Sequence, residues 1–353
     1  MNLEKLKAEV ERLGFKYDCK ALGEFIGQFS AESSKNGKLI DFSNKIISEH
    51  ANFLENAKTI GLPPAKRWRA KLQYNPKRIS KEEREHLIQR FLLATGISEV
   101  HLARLRRGNY CFVIEMWNKP LTDRVMMLFW SSLNLMAKTE LKGELRILAE
   151  HFLAKLLAGD GYAKIMLAGR TTTKKRKKRR LRVTIGEGKP RLRRLYKEII
   201  EKLGIKSRID NKNNILILNI NWEILLSLYK MQAFKGHARN RAKLIHAFLK
   251  HPKTRYLYER LSLAKEKPIC SRDLIKPIKE SKKRRNRLWV ILRWIKSKVK
   301  EGYLIRTGKK GRYGLFELTD KGRQLLKTVD EAAKELKIIR RTEGGLLYAS
   351  KHM

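Results

Sequence analysis

The chain of 353 residues carries 81 lysines and arginines against 35 aspartates and glutamates, a net charge of +46 at pH 7. Surface ion pairs cannot absorb that excess, so a polyanion is the expected partner, with nucleic acid the first candidate. A membrane partner is not expected, because there is no lipidation signal and no long uncharged apolar run; the stretch Leu288-Trp289-Val290-Ile291-Leu292 is short and ringed by arginines. No signal-peptide pattern opens the chain, and Cys19, Cys111 and Cys270 are scattered without zinc spacing, so a reducing, cytoplasmic setting is expected.

Taken in order, residues 1–18 are charged and compatible with a helix. A second helix covers about Cys19 to Ala31, and a strand follows from Leu39 to Ser43. The next helix, about Ser48 to Ala57, ends near Gly61-Leu62-Pro63-Pro64. Arg67, Arg69, Lys71 and Gln73 then alternate with Trp68, Ala70, Leu72 and Tyr74, the pattern of a half-buried strand with a basic outer face. Ser80 to Leu93 reads as an inserted helix. Two strands flank Arg107-Gly108-Asn109, and a helix from Leu121 to Met136 closes the unit.

A similar order follows. A helix from about Leu145 to Ala158 leads into a strand, Tyr162 to Leu167, then the basic run 174–180, then a strand from Leu181 to Ile185. A helix near Arg191 to Leu203 precedes two strands that turn at Asn213-Asn214, and two more helices end near Leu249. Beyond about Tyr256, helices at 272–278 and 286–299, strands on either side of Gly308-Lys309-Lys310-Gly311-Arg312, and a helix capped by Thr319-Asp320-Lys321-Gly322 form a third unit. The tail after Arg340 is expected to fray.

Two stretches stand out. Phe25-Ile26-Gly27-Gln28-Phe29-Ser30-Ala31-Glu32-Ser33 and Leu153-Ala154-Lys155-Leu156-Leu157-Ala158-Gly159-Asp160-Gly161 are apolar helices that end in an acid. Small residues four apart give each a face that admits another helix. An acid at the last turn meets the negative end of the helix dipole, a cost that a cation would offset. These stretches resemble the paired LAGLIDADG motifs of homing endonucleases. They depart from the family pattern at Lys155, where a small residue is usual, and at Ser33, which replaces the last glycine. The resemblance implies an α+β fold of two pseudo-symmetric αββαββα repeats forming a DNA-binding saddle. The final unit resembles a winged helix-turn-helix module. The expected divisions are 1–140 and 141–252 for the two repeats, 253–340 for the winged helix and 341–353 for the tail.

What the resemblance implies for chemistry is a site-specific double-strand DNA endonuclease, a monomer acting on a long asymmetric site. Glu32 and Asp160 would each supply a carboxylate to Mg²⁺ or Mn²⁺, helped by the backbone carbonyls of Ala31 and Gly159. Lys235 would stabilise charge in the transition state. Candidate DNA contacts are Arg67, Arg69 and Lys71 in the first repeat and Lys164, Arg182 and Thr184 in the second. The run Lys174, Lys175, Arg176, Lys177, Lys178, Arg179 and Arg180 is too uniform to read bases and is expected to clamp phosphate. In the third unit Arg284, Arg285 and Arg287 open the expected recognition helix, and Lys309, Lys310 and Arg312 sit at the wing. Two other readings use the same scaffold: a non-cleaving transcription regulator, and an RNA splicing maturase.

Overall fold

The computed structural model describes residues 3–33, 38–168, 178–270, 273, 284–310 and 313–349. The fold is mixed α+β, and the chain divides into two compact units, 1–243 and 244–353. No helix among the described residues is long and apolar enough to cross a membrane.

In the first unit, helix α1 (Leu3–Arg12) precedes α2 (Cys19–Glu32). Asp18 starts α2 by accepting the Ala21 N–H at 2.7 Å. Then come β1 (Ile40–Asn44), α3 (Ile47–Thr59), β2 (Arg69–Tyr74), α4 (Lys81–Thr95), β3 (Val100–Arg104), β4 (Tyr110–Met116) and α5 (Lys119–Lys138). The second half runs α6 (Gly143–Gly159), β5 (Gly161–Ala168), β6 (Lys178–Gly186), α7 (Pro190–Lys202), β7 (Ser207–Asp210), β8 (Ile215–Leu218) and α8 (Trp222–Lys230), followed by α9 (Ala238–Lys250).

Each half builds a four-stranded sheet, but the two sheets are wired differently. The second half keeps the expected αββαββα order, and its sheet, β5-β6-β8-β7, is antiparallel throughout. The first half departs from it. Helix α3 follows β1 directly, so β1 pairs with the last strand and the order becomes β1-β4-β2-β3. Strands β2 and β3 are parallel, and a parallel pair needs a crossover. The helix expected at 80–93 is that crossover: Ser80 caps it, accepting the Glu83 N–H at 3.1 Å, and left-handed Gly96 (φ +68°) ends it.

Helices α2 and α6 pack backbone to backbone. A Cβ added at Gly27 would lie 2.5 Å from the Phe152 carbonyl oxygen, and one at Gly23 would collide with that of Leu148. Around this seam the apolar faces close into the core. Phe25, Phe42 and Phe53 stack in series, with Phe42 and Phe53 centroids 4.6 Å apart, and Phe91 stacks on Phe112 at 4.1 Å. In the second half Phe152 packs against Tyr196, both fully buried.

The second unit holds α10 (Pro252–Leu261), β9 (Ile269–Cys270), α11 (Arg284–Lys300), β10 (Leu304–Lys310), β11 (Tyr313–Leu318) and α12 (Asp320–Ala349). Its sheet has the order β10-β11-β9, so a short third strand joins the expected hairpin. Thr319 caps α12, accepting the Gly322 N–H at 3.2 Å. Helix α12 continues past Arg340, where the tail was expected to begin, to Ala349. The helix expected at 272–278 lies outside the described residues, apart from Asp273. Trp294 is buried in this unit.

Candidate active site and nucleic-acid interface

The close seam between α2 and α6 ends at the two acids. Glu32 is the last residue of α2, and Asp160 caps α6. Gly159 lies against Ala31, and a methyl group added to it would fall 3.0 Å from Glu32 Oε1. The seam thus brings Ala31 and Glu32 against Gly159, the residue before half-buried Asp160, so that the negative ends of two helices meet beside the half-buried Glu32. Such a concentration of negative charge is a natural seat for a cation.

A strand holds the Glu32 carboxylate, and another holds the backbone of Asp160. Asn44, at the end of β1, donates its Nδ2 hydrogen to Glu32 Oε1 at 3.0 Å. The amide cannot be turned over, because Asn44 Oδ1 accepts the Ile46 N–H at 2.8 Å. Behind it, His50 Nε2 lies 3.0 Å from the Asn44 carbonyl oxygen, which can only accept, so Nε2 carries the proton. Burial pushes His50 down to about 4, which keeps the ring neutral. On the other side, the Asp160 carbonyl accepts the Gly186 N–H at 3.1 Å, which ties α6 to β6. Tyr196, buried behind, is shifted upward by burial and by the nearby acids Glu187 and Asp160, so it stays protonated.

Lys155 does not force the helices apart. It is buried, with Nζ 3.1 Å from Glu49 Oε2 and 3.8 Å from Glu24 Oε2. Gln28 Nε2 donates to the same Glu49 oxygen at 3.2 Å. Burial opposes ionisation of Glu24, yet hydrogen bonds from His151 and Asn56 and the charge of Lys155 outweigh it and hold the carboxyl down to about 2. Beside this network a cleft of about 600 Å³ runs along α6, with Ala158 and the exposed Lys235 among its lining residues. No group of three or more His, Cys, Asp or Glu among the described residues is placed to hold a metal ion. A pair of hard oxygen donors suits an ion that keeps much of its water, and does not suit a closed zinc site.

The two sheets differ in their polar faces. On β2, Arg69 is exposed, but Lys71 is drawn to Glu115, its Nζ 2.7 Å from Oε1. Arg67, read as a strand residue, lies in the 3₁₀ turn that precedes β2. On the β5–β6 hairpin, among the described residues, neither Lys164 nor Arg182 is paired with an acid. Exposed Lys164 stands directly opposite Arg182, and Tyr162 opposite Thr184. Like charges in register repel unless an anion lies over them. Further along the same ladder Arg180, Arg179 and Lys178 pair in register with Met166, Leu167 and Ala168. Lys174, Lys175, Arg176, Lys177 and Arg312 lie outside the described residues. Arg284, Arg285 and Arg287 occupy the first turn of α11, and Lys309, which is exposed, and Lys310 end β10. Sequence reasoning missed Asn44, His50 and the Gln28–Glu49 pair. Their partners are distant in sequence, and no spacing pattern marks them.

No family model matches the sequence, and no curated protein matches it. Among solved structures, the chain is similar to the meganuclease I-SmaMI bound to uncleavable DNA, with 14% identity over 67% of this chain and 91% of that one, and a TM-score of 0.35. A double mutant of I-SmaMI is similar at 14% identity, over 75% of this chain and all of the other, with a TM-score of 0.34. Superposition at this level is loose, and the functional reading rests on the residues of this chain.

Proposed function

We propose that the protein is a site-specific DNA endonuclease of the LAGLIDADG kind, with the second unit serving as a winged helix-turn-helix module. In this reading the first unit contains two pseudo-symmetric repeats, the first rewired by α3 and α4, that together form the DNA-binding saddle, and the protein acts as a monomer on a long asymmetric site. The observation that carries it is the meeting of Glu32 and the Gly159–Asp160 turn at the ends of two helices in backbone contact.

Glu32 and Asp160, with the carbonyls of Ala31 and Gly159, would hold Mg²⁺ or Mn²⁺. When bound, the ion would supply charge for the phosphodiester oxyanion and acidify a water. The residues of the chain do the rest. Asn44 keeps Glu32 Oε1 in one orientation. Lys235 would offer a positive charge to the transition state. Lys164 and Arg182 meet phosphate or base edges along the hairpin, and the 174–180 run holds phosphate. Arg69 does the same on the first sheet. In the second unit Arg284, Arg285 and Arg287 open the helix offered to the major groove, with Lys309, Lys310 and Arg312 at the wing.

The test is cleavage of plasmid carrying the DNA that flanks the gene, with and without Mg²⁺, beside a gel-shift measurement of binding. Glu32→Gln and Asp160→Asn should each stop double-strand cleavage and leave binding intact or tighter. Wild-type cleavage by both variants would reject the site. Specific binding by the wild-type protein without any cleavage would make it a regulator on the same scaffold.

A further inference from the structure

Lys155 is the strangest residue of the second motif, and the turn after α8 explains its presence. Three residues of that turn have positive φ: Gln232 (58°), Phe234 (63°) and Gly236 (91°). Such a backbone is costly outside glycine, so it persists only where its surroundings hold it. Three attachments do so. Arg241, buried, donates through Nη1 to the carbonyls of Tyr229 at 3.3 Å and Ala233 at 3.2 Å. Phe234, fully buried, has its ring against Gly161, the residue after Asp160: a Cβ added there would meet Phe234 Cε1 at 2.8 Å. Gly236 sits on Glu49, so close that an added Cβ would lie 2.5 Å from Glu49 Oε1. The other oxygen of that carboxylate is the one held by Lys155 and Gln28. Lys235 lies between Phe234 and Gly236, and so between the last two attachments.

We infer that the buried Lys155–Glu49 pair is a positioning device for Lys235: it fixes the carboxylate on which the turn rests and so sets where the exposed lysine is presented beside the last turn of α6. Lys155 and Glu49 act through the turn and touch no substrate. The inference builds on the endonuclease reading only in giving Lys235 a task; the mechanical link between pair and turn stands apart from it.

The test uses the full chain with the neutral exchange Lys155→Met plus Glu49→Gln. This leaves neither member of the pair as a lone buried charge, which single substitution would, and Glu24 keeps its hydrogen bonds from His151 and Asn56. The first readout is amide hydrogen exchange. The N–H groups of Met231, Gln232 and Ala233 donate to the α8 carbonyls of Ser227, Tyr229 and Leu228, and those of Lys235 and His237 to the carbonyls of Gln232 and Phe234, so loosening of the turn exposes them. Exchange across 231–237 should rise while α2 and α6 keep their protection. The second readout is single-turnover cleavage. The double substitution should slow it roughly tenfold to a hundredfold, the range for a misplaced catalytic group, with binding unchanged. Combined with Lys235→Ala, it should slow cleavage no further than Lys235→Ala alone. Unaltered exchange at 231–237, or slowing that multiplies with that of Lys235→Ala, would overturn the inference. A wild-type protein that cuts no DNA would remove the endonuclease reading and leave the exchange measurement to decide the positioning link.

Discussion

Gly159 is the tightest single residue of the candidate site. Replacing it with alanine sets a methyl group into Ala31 and against the Glu32 carboxylate. Overpacking of this kind costs about 1–3 kcal/mol, and here the strain falls on the acid itself. Gly159→Ala should therefore lower the urea midpoint and also slow cleavage. Adding Ala31→Gly removes the principal clash, so the pair of changes should recover most of the stability, as unfolding curves of the four proteins would show. At this scale the sequence was half legible. Glu32 and Asp160 each close an apolar run rich in small residues, a pattern visible without coordinates. Asn44 was not visible, because nothing in Asp41-Phe42-Ser43-Asn44 shows that the chain will return to the end of α2. Lys155 was visible as an oddity only, since its partner Glu49 lies more than a hundred residues earlier.

Among the elements, α3 carries the clearest pH signature. His50 titrates near 6.5 in an unfolded chain and is held down to about 4 in the folded one. Above pH 6.5 the ring is neutral in both states and stability is complete. As pH falls from 6.5 toward 4, only the unfolded state gains the proton, so stability drains away. The full loss is about 3 kcal/mol. His50→Gln keeps an N–H for the Asn44 carbonyl, so its unfolding free energy should be flatter than wild type across that window. The sheets give a second prediction. Lys164→Ala and Arg182→Ala should each weaken DNA binding and lower the salt slope by about 0.9 for every phosphate that is no longer neutralised. Lys71→Ala should change the slope far less, because Glu115 already neutralises that lysine. Dissociation constants at several salt concentrations check both. Periodicity found nearly every helix and strand, because each has one apolar face. It could not find the β1-β4-β2-β3 order, which depends on where α3 and α4 send the chain, nor β9, two residues long and paired only at a distance.

For the whole molecule, net charge and division into units set the behaviour. With +46 on 353 residues, self-repulsion opposes compactness at low salt, and an anionic partner offsets it. Most of the apolar core of residues 1–243 is built within that unit, including the aromatic stack and the α2–α6 seam. A fragment ending at Lys250, the close of α9, should unfold cooperatively by circular dichroism, yet bind DNA more weakly or less selectively than the full chain. Loss of cooperative unfolding in the fragment would assign residues 251–353 a structural duty instead.

The seam between α2 and α6 has one more consequence. Where Gly23 and Gly27 meet the carbonyls of Leu148 and Phe152, no side chain lies between the two backbones. Long side chains at a helix contact can change rotamer and let the helices slide, much as a bearing has play. Bare backbone has none, because any shift drives hard atoms together. The gap between the two acids is then a gauge length of the fold rather than an adjustable opening. In the endonuclease proposed above, that gauge would set the stagger between the two cuts, and a duplex with a different groove geometry would have to bend to it or go uncut.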